Sequence, residues 1–150
     1  MAMPVLARDF KEFLKLLISH RVEFLLIGGY AVGIYGHVRA TNDLDIWVDI
    51  SATNSDRIEA ALSEFGFSME GANSGLFLVP DNVVRMGMPP IRIEILTSIS
   101  GVEFGPCYAE REMIQLEDMS VPVISLGRLK QNKAASGRAQ DLADLEHLGD

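Results

Sequence analysis

The chain has 150 residues, 48% of them hydrophobic and 23% charged, and its 13 Lys+Arg against 21 Asp+Glu give a formal net charge of −8. That size and balance fit a single globular domain spanning 1–150 with a sizeable core, and the acidic surplus argues against broad electrostatic binding of DNA or RNA. One cysteine, Cys107, excludes an internal disulfide and makes a cysteine-built zinc site untenable, which fits a reducing, cytoplasmic setting.

Along the chain, Leu6, Phe10, Phe13, Leu14 and Leu17 recur at helical spacing opposite Arg8, Lys11, Glu12 and Lys15, so 5–20 reads as an amphipathic helix. No basic-then-apolar signal pattern precedes it. VEFLLIGG (22–29) reads as a buried strand stopped by a glycine pair, followed by a short helix over 30–36. This apolar stretch is too short to cross a bilayer, and no membrane partner is expected. A second strand covers 43–50. Thr53 and Asp56 have capping-box spacing before Ile58, Ala61, Leu62 and Phe65, with Gly66 as the stop. Short strands are expected at 76–79 and 83–88 and a longer one at 90–99, then a helix around 104–112. MIQLE and VPVIS flank DMS as a hairpin whose Pro122 points to a sheet edge. The tail, 125–148, reads as two helices broken near Gly137. The order predicts an α/β (α+β) domain: a mixed sheet flanked by helices, closed by a short helical tail.

The segment NDLDIWVD (42–49) poses the functional question. Side chains alternate across a strand, so Asp43, Asp45, Trp47 and Asp49 share one face while Leu44, Ile46, Val48 and Ile50 share the other. Like charges two residues apart repel. Either that face is simply solvated, or something positive sits between the carboxylates. Glu94 in RIEIL raises the same question, because Ile91, Ile93 and Ile95 make its strand's other face fully apolar. Two acids at i and i+2 with a third from a neighbouring strand could hold hard cations through oxygen ligands.

Gly28-Gly29, between a strand and a helix, can cradle an anion on backbone N–H groups or merely make a tight turn. A P-loop is excluded, because Ile34 and Tyr35 follow Gly33 where Lys and Ser/Thr belong. A Rossmann fingerprint fails at Tyr30, despite Asp49 about 20 residues on.

Taken together, IGG…DLDI, the wider stretch LLIGGYAVGIYGHVRATNDLDIWVD and the closing KAASGRAQDLADLEHL resemble the polymerase-β-type nucleotidyltransferase superfamily. They look most like its small bacterial stand-alone members, some of which belong to toxin–antitoxin or abortive-infection systems. The resemblance implies a nucleotidyltransferase-type fold and transfer of a nucleoside monophosphate from an NTP to an acceptor hydroxyl, with release of pyrophosphate. It implies two magnesium ions, with manganese as the alternative, on Asp43, Asp45 and Glu94. Gly28 and Gly29 would hold the triphosphate. The acceptor could be tRNA, a protein or a small molecule, and an adjacent gene could encode a partner protein. Two departures stand out: glycine replaces a common serine after the first glycine, and the third acid is Glu where Asp is usual. The rival implication is a nucleotidyltransferase-like binding or regulatory protein without turnover.

Other residues divide between the site and the surface. Arg39 and Thr41 could orient a phosphate or the aspartates, or Arg39 could pair with a surface acid. Lys130, Lys133 and Arg138 could meet the triphosphate if the tail folds over the site, or form a solvated helical face. Asp141 and Asp144 read as surface charges or partners for Arg138. Trp47 could stack on a base but reads better as core, Cys107 reads as a packed side chain rather than a nucleophile, and His20, His37 and His147 show no ligand spacing.

Overall fold

The computed structural model describes residues 7–36, 42–67, 75–87 and 92–148. Helix α1 (Arg8–Ser19) buries Phe10, Phe13, Leu14 and Leu17, the stripe its periodicity dictates. Strand β1 (Phe24–Ile27) is buried at every position and runs directly into α2 (Gly28–Ile34). The two glycines therefore open the helix rather than precede it. Strand β2 (Asp43–Val48) follows, then α3 (Ala52–Phe65), β3 (Val83–Met86), β4 (Arg92–Leu96), α4 (Phe104–Ala109), β5 (Glu112–Leu116), β6 (Met119–Val123), α5 (Leu126–Ser136) and α6 (Ala139–Leu148).

The six strands form one mixed sheet in the order β3-β4-β2-β1-β6-β5. β1 runs antiparallel to β2 and parallel to β6, β2 runs parallel to β4, and β3–β4 and β5–β6 are antiparallel pairs. Leu44, Ile46 and Val48 of β2 and Ile93 and Ile95 of β4 join the core, with α1 packed on α3 through Phe13 and Phe65 at 5.1 Å between ring centroids. No helix among the described residues is long and apolar enough to cross a membrane.

Several local expectations are corrected. The N-cap of α3 is Ser51, whose side chain accepts from the Asn54 N–H at 3.1 Å; Thr53 and Asp56 lie inside the helix. Residues 76–79 form turns and bends, not a strand. Pro122 lies in β6, which is interior; β5 and β3 are the edges. Proline is tolerated there because the β1–β6 register involves Val123, one residue beyond it, and the Ile124 N–H completes the link to the Leu26 carbonyl. Gly66 does end α3 in the left-handed conformation, with φ of 99°.

Asn54 ties this frame together. It is 1% exposed; its Oδ1 accepts from the Glu23 N–H at 2.7 Å, and its Nδ2 donates to the carbonyls of Glu23 and Asp49 at 3.1 and 2.9 Å. One amide thus satisfies main-chain groups where β1 begins and β2 has ended. Asn54→Ala removes the partner of the Glu23 N–H and the Asp49 carbonyl beneath α3, while the Glu23 carbonyl keeps the Asp49 N–H at 3.2 Å. A loss of about 3 kcal/mol is expected in urea unfolding. A loss under about 1 kcal/mol would show that water replaces the amide at no cost.

Candidate active site

The sheet register places the acids. β2 and β4 run parallel with Asp43 opposite Arg92, Asp45 opposite Glu94 and Trp47 opposite Leu96, so the two strands share a polar face between their apolar undersides. β3 brings Arg85 opposite Glu94 from the other side, and the Arg85 Nε donates to Glu94 Oε1 at 3.1 Å. On the far side of β2, the end of β1 delivers Gly28 against Asp45. Gly28 has φ of 69°, and a Cβ there would collide with Asp45 Oδ2. Only glycine allows this approach.

Gly28, Asp43, Asp45, Arg85 and Glu94 line a cleft of about 540 Å³, together with Ile27, Gly29, Leu96, the 98–100 loop, and Asn132, Lys133, Ser136, Arg138, Gln140 and Asp141 from the helical tail. Acids from the sheet thus face cations from the tail. Burial, reinforced by the charges of Glu94 and Asp43, pushes the Asp45 carboxyl from its ordinary 3.8 up to about 7, against the opposing pull of Lys133 and Arg138. Burial and two neighbouring acids thus outweigh the cations of the tail at this carboxyl.

Lys133 Nζ is bound by Asp141 Oδ1 at 3.1 Å and Asp144 Oδ2 at 3.2 Å. Arg138 clasps Asp141 through its Nε at 2.7 Å, its Nη2 at 3.3 Å and its backbone N–H at 3.3 Å. Burial alone would raise the Asp141 carboxyl, but hydrogen bonds from Arg138, Ser136 and Lys133 outweigh it and hold the group well below the usual carboxylate range.

Most of the residues singled out in the sequence therefore meet: Gly28, Gly29, Asp43, Asp45, Glu94, Lys133 and Arg138 line one cleft. Lys130 is not among its lining residues, although it shares α5 with Lys133. Arg39, Thr41 and His37 lie outside the described residues. Asp141 and Asp144 are not surface charges, being 1% and 0% exposed; the expected pairing with Arg138 holds for Asp141. Trp47 is core, packed edge-on against Phe104 at 5.2 Å, with its indole N–H unpartnered among the described residues. Cys107 is buried, and burial pushes its thiol up, as suits a packed side chain. His20 pairs with Glu64 at 3.1 Å, away from the cleft. Arg85, Ser98, Ser100 and Asn132 were not anticipated. Arg85 could have been found by pairing 83–88 with 90–99 as a hairpin, but the loop residues carry no local signal.

The oxygen donors of Asp43, Asp45 and Glu94, which line one cleft, are of the kind that hard divalent cations take. Among the described residues, however, no three His, Cys, Asp or Glu side chains are gathered into a ready-made metal-ligand group. The cleft offers an open wall of carboxylates rather than a closed cage.

Comparison with known proteins bears on the family and the fold. The family model described as aminoglycoside-2''-adenylyltransferase matches residues 9–148. The fold is similar to the crystal structure of a "putative nucleotidyltransferase" from Thermotoga maritima, with a TM-score of 0.65 at 18% identity over 93% of this chain and 89% of that one. No curated protein matches. With nearly the whole chain matched and its acids set on adjacent strands beside a glycine turn, the protein belongs to the aminoglycoside-2''-adenylyltransferase family and is a nucleotidyltransferase of the polymerase-β type.

Proposed function

We propose that the protein transfers a nucleoside monophosphate, an adenylyl group in the first instance, from an NTP to a hydroxyl of a small polycationic acceptor such as an aminoglycoside. The observation that carries this reading is the two-walled cleft, with Asp43, Asp45 and Glu94 facing Lys133 and Arg138 beside Gly28 and Gly29. The acceptor class rests on the family's description and on charge. A chain of net charge −8 attracts polycations and repels RNA, which favours a cationic small molecule over tRNA. A toxin–antitoxin role with a macromolecular acceptor draws no support from the cleft.

Lys133 and Arg138 would meet the β- and γ-phosphates, and the main-chain N–H groups at Gly28 and Gly29 would approach the triphosphate where no side chain intervenes. Asp43 and Asp45 would hold two magnesium ions, with Glu94 as the third ligand; when bound, the ions neutralise the triphosphate and stabilise charge on the attacking and leaving oxygens. The acceptor oxygen bonds to the α-phosphorus as the bond from that phosphorus to the bridging oxygen breaks. Pyrophosphate departs with the bonding pair, and the acceptor proton passes to a cleft carboxylate, Glu94 in this reading. Positioning and charge stabilisation do the rest.

The test incubates the protein with magnesium, α-³²P-labelled ATP, CTP, GTP or UTP, and an aminoglycoside panel. Label is expected on the aminoglycoside from ATP, and it is lost in Asp43→Asn. Transfer that persists in that variant removes the assignment of roles, and transfer only to tRNA or protein overturns the acceptor class.

A further inference from the structure

The helical tail contains a buried ionic cluster that cohesion alone does not require. Lys133, Asp141 and Asp144 are 5%, 1% and 0% exposed. Taking charges out of water costs several kcal/mol each even when they pair well, and well-packed hydrocarbon of the same shape commonly holds two elements together at least as firmly. Asp141 and Asp144 stand three residues apart, on one side of α6, and Gly137, with φ of 67°, reverses the chain so that this side meets α5. Their carboxylates grip Lys133 Nζ at 3.1 and 3.2 Å, while Asp141 also orients the Arg138 guanidinium. Both cations line the cleft. The cluster therefore does something hydrocarbon could not: it fixes two cationic side chains in the lining of the cleft.

We propose that Asp141 and Asp144 are positioning residues, which preset Lys133 and Arg138 to receive the triphosphate of the incoming nucleotide. This rests on the nucleotidyl-transfer reading above. Lysine and arginine side chains lose much rotamer freedom when fixed; here the fold has already fixed them, so binding the phosphates need not. Lys133 and Arg138 touch the substrate, and the two aspartates act through them.

Calorimetric titration of the full chain with ATP and with AMP, each with magnesium, distinguishes the roles. Asp144→Asn is expected to weaken ATP about tenfold while AMP changes less than about twofold, because only the β- and γ-phosphates meet the lysine. The paired change Lys133→Met with Asp144→Leu removes both charges together, so it is expected to fold with a melting temperature near wild type and still lose ATP about tenfold. Folded variants that bind ATP like wild type, or that lose ATP and AMP equally, overturn the proposal. So does failure of both variants to fold, which would make the cluster structural. If wild type binds none of ATP, GTP, CTP and UTP, the nucleotidyl-transfer reading itself falls, an outcome visible before any variant is made.

Discussion

Replacing Asp45 with asparagine is expected to abolish nucleotidyl transfer and, at pH 8, to raise the melting temperature of the metal-free protein. The first effect follows from losing a carboxylate that the proposed mechanism assigns to magnesium; the second follows from burial. In the folded chain burial and the neighbouring Glu94 and Asp43 push the Asp45 carboxyl to about 7, against 3.8 when unperturbed. Between those values the native state holds a proton that the unfolded state has released. Stability therefore falls as pH rises from about 4 to 7 and levels off above. The interval corresponds to roughly 4 kcal/mol at full titration. Asparagine escapes that penalty but leaves a buried amide needing partners, so a net gain of about 1–3 kcal/mol, or about 5 °C, is expected. At pH 4 the gain should vanish, because wild-type Asp45 is already neutral there. Thermal melts of both proteins at pH 4 and pH 8 without divalent ions check this. An equal gain at both values, or none at pH 8, would mean that the acid wall is not strained.

The second large effect is expected at Gly28. An alanine Cβ there meets Asp45 Oδ2, and the backbone at φ of 69° disfavours any Cβ. The left-handed conformation alone costs about 1–2 kcal/mol, and displacing Asp45 would misplace a residue to which the proposed mechanism assigns the metal ions. Gly28→Ala should thus lose about 2 kcal/mol of stability and more than about 100-fold in turnover. Gly66→Ala is the matched control: it also sits at positive φ, 99°, but its Cβ would enter open space at the end of α3. It should lose comparable backbone stability while keeping transfer. Urea unfolding and label-transfer rates on both variants decide the matter; equal turnover losses would show that strain, not the contact with Asp45, is responsible.

Much of this site is written locally in the chain. Period-two alternation in DLDIWV and RIEIL put Asp43, Asp45 and Glu94 on polar faces, and the apolar run ending at Gly28 marked the end of a buried strand. What local pattern does not contain is register. Asp45 lies beside Glu94 only because β2 and β4 pair in parallel with that offset, and Arg85 reaches Glu94 only because β3 pairs antiparallel on the outer side. Thr53 and Asp56 imitate a cap that Ser51 supplies two residues earlier. The run at 76–79 looks like a strand in composition, yet its Leu76 carbonyl is taken by the Asn82 side chain and its Leu78 N–H by Gly75, so it closes into turns. Asp141 and Asp144 looked like solvent charges because helical spacing cannot reveal that a lysine one helix earlier folds back between them.

The two walls of the cleft come from distant parts of the chain. The carboxylates belong to strands complete by Leu96, whereas Lys133 and Arg138 arrive with the last two helices. During synthesis on the ribosome, the acid face therefore exists before its counter-charges do. A chain ending after β6 would keep the acids and the glycine pair but lack Lys133 and Arg138, so on the proposed mechanism it would hold a triphosphate more weakly than the full chain.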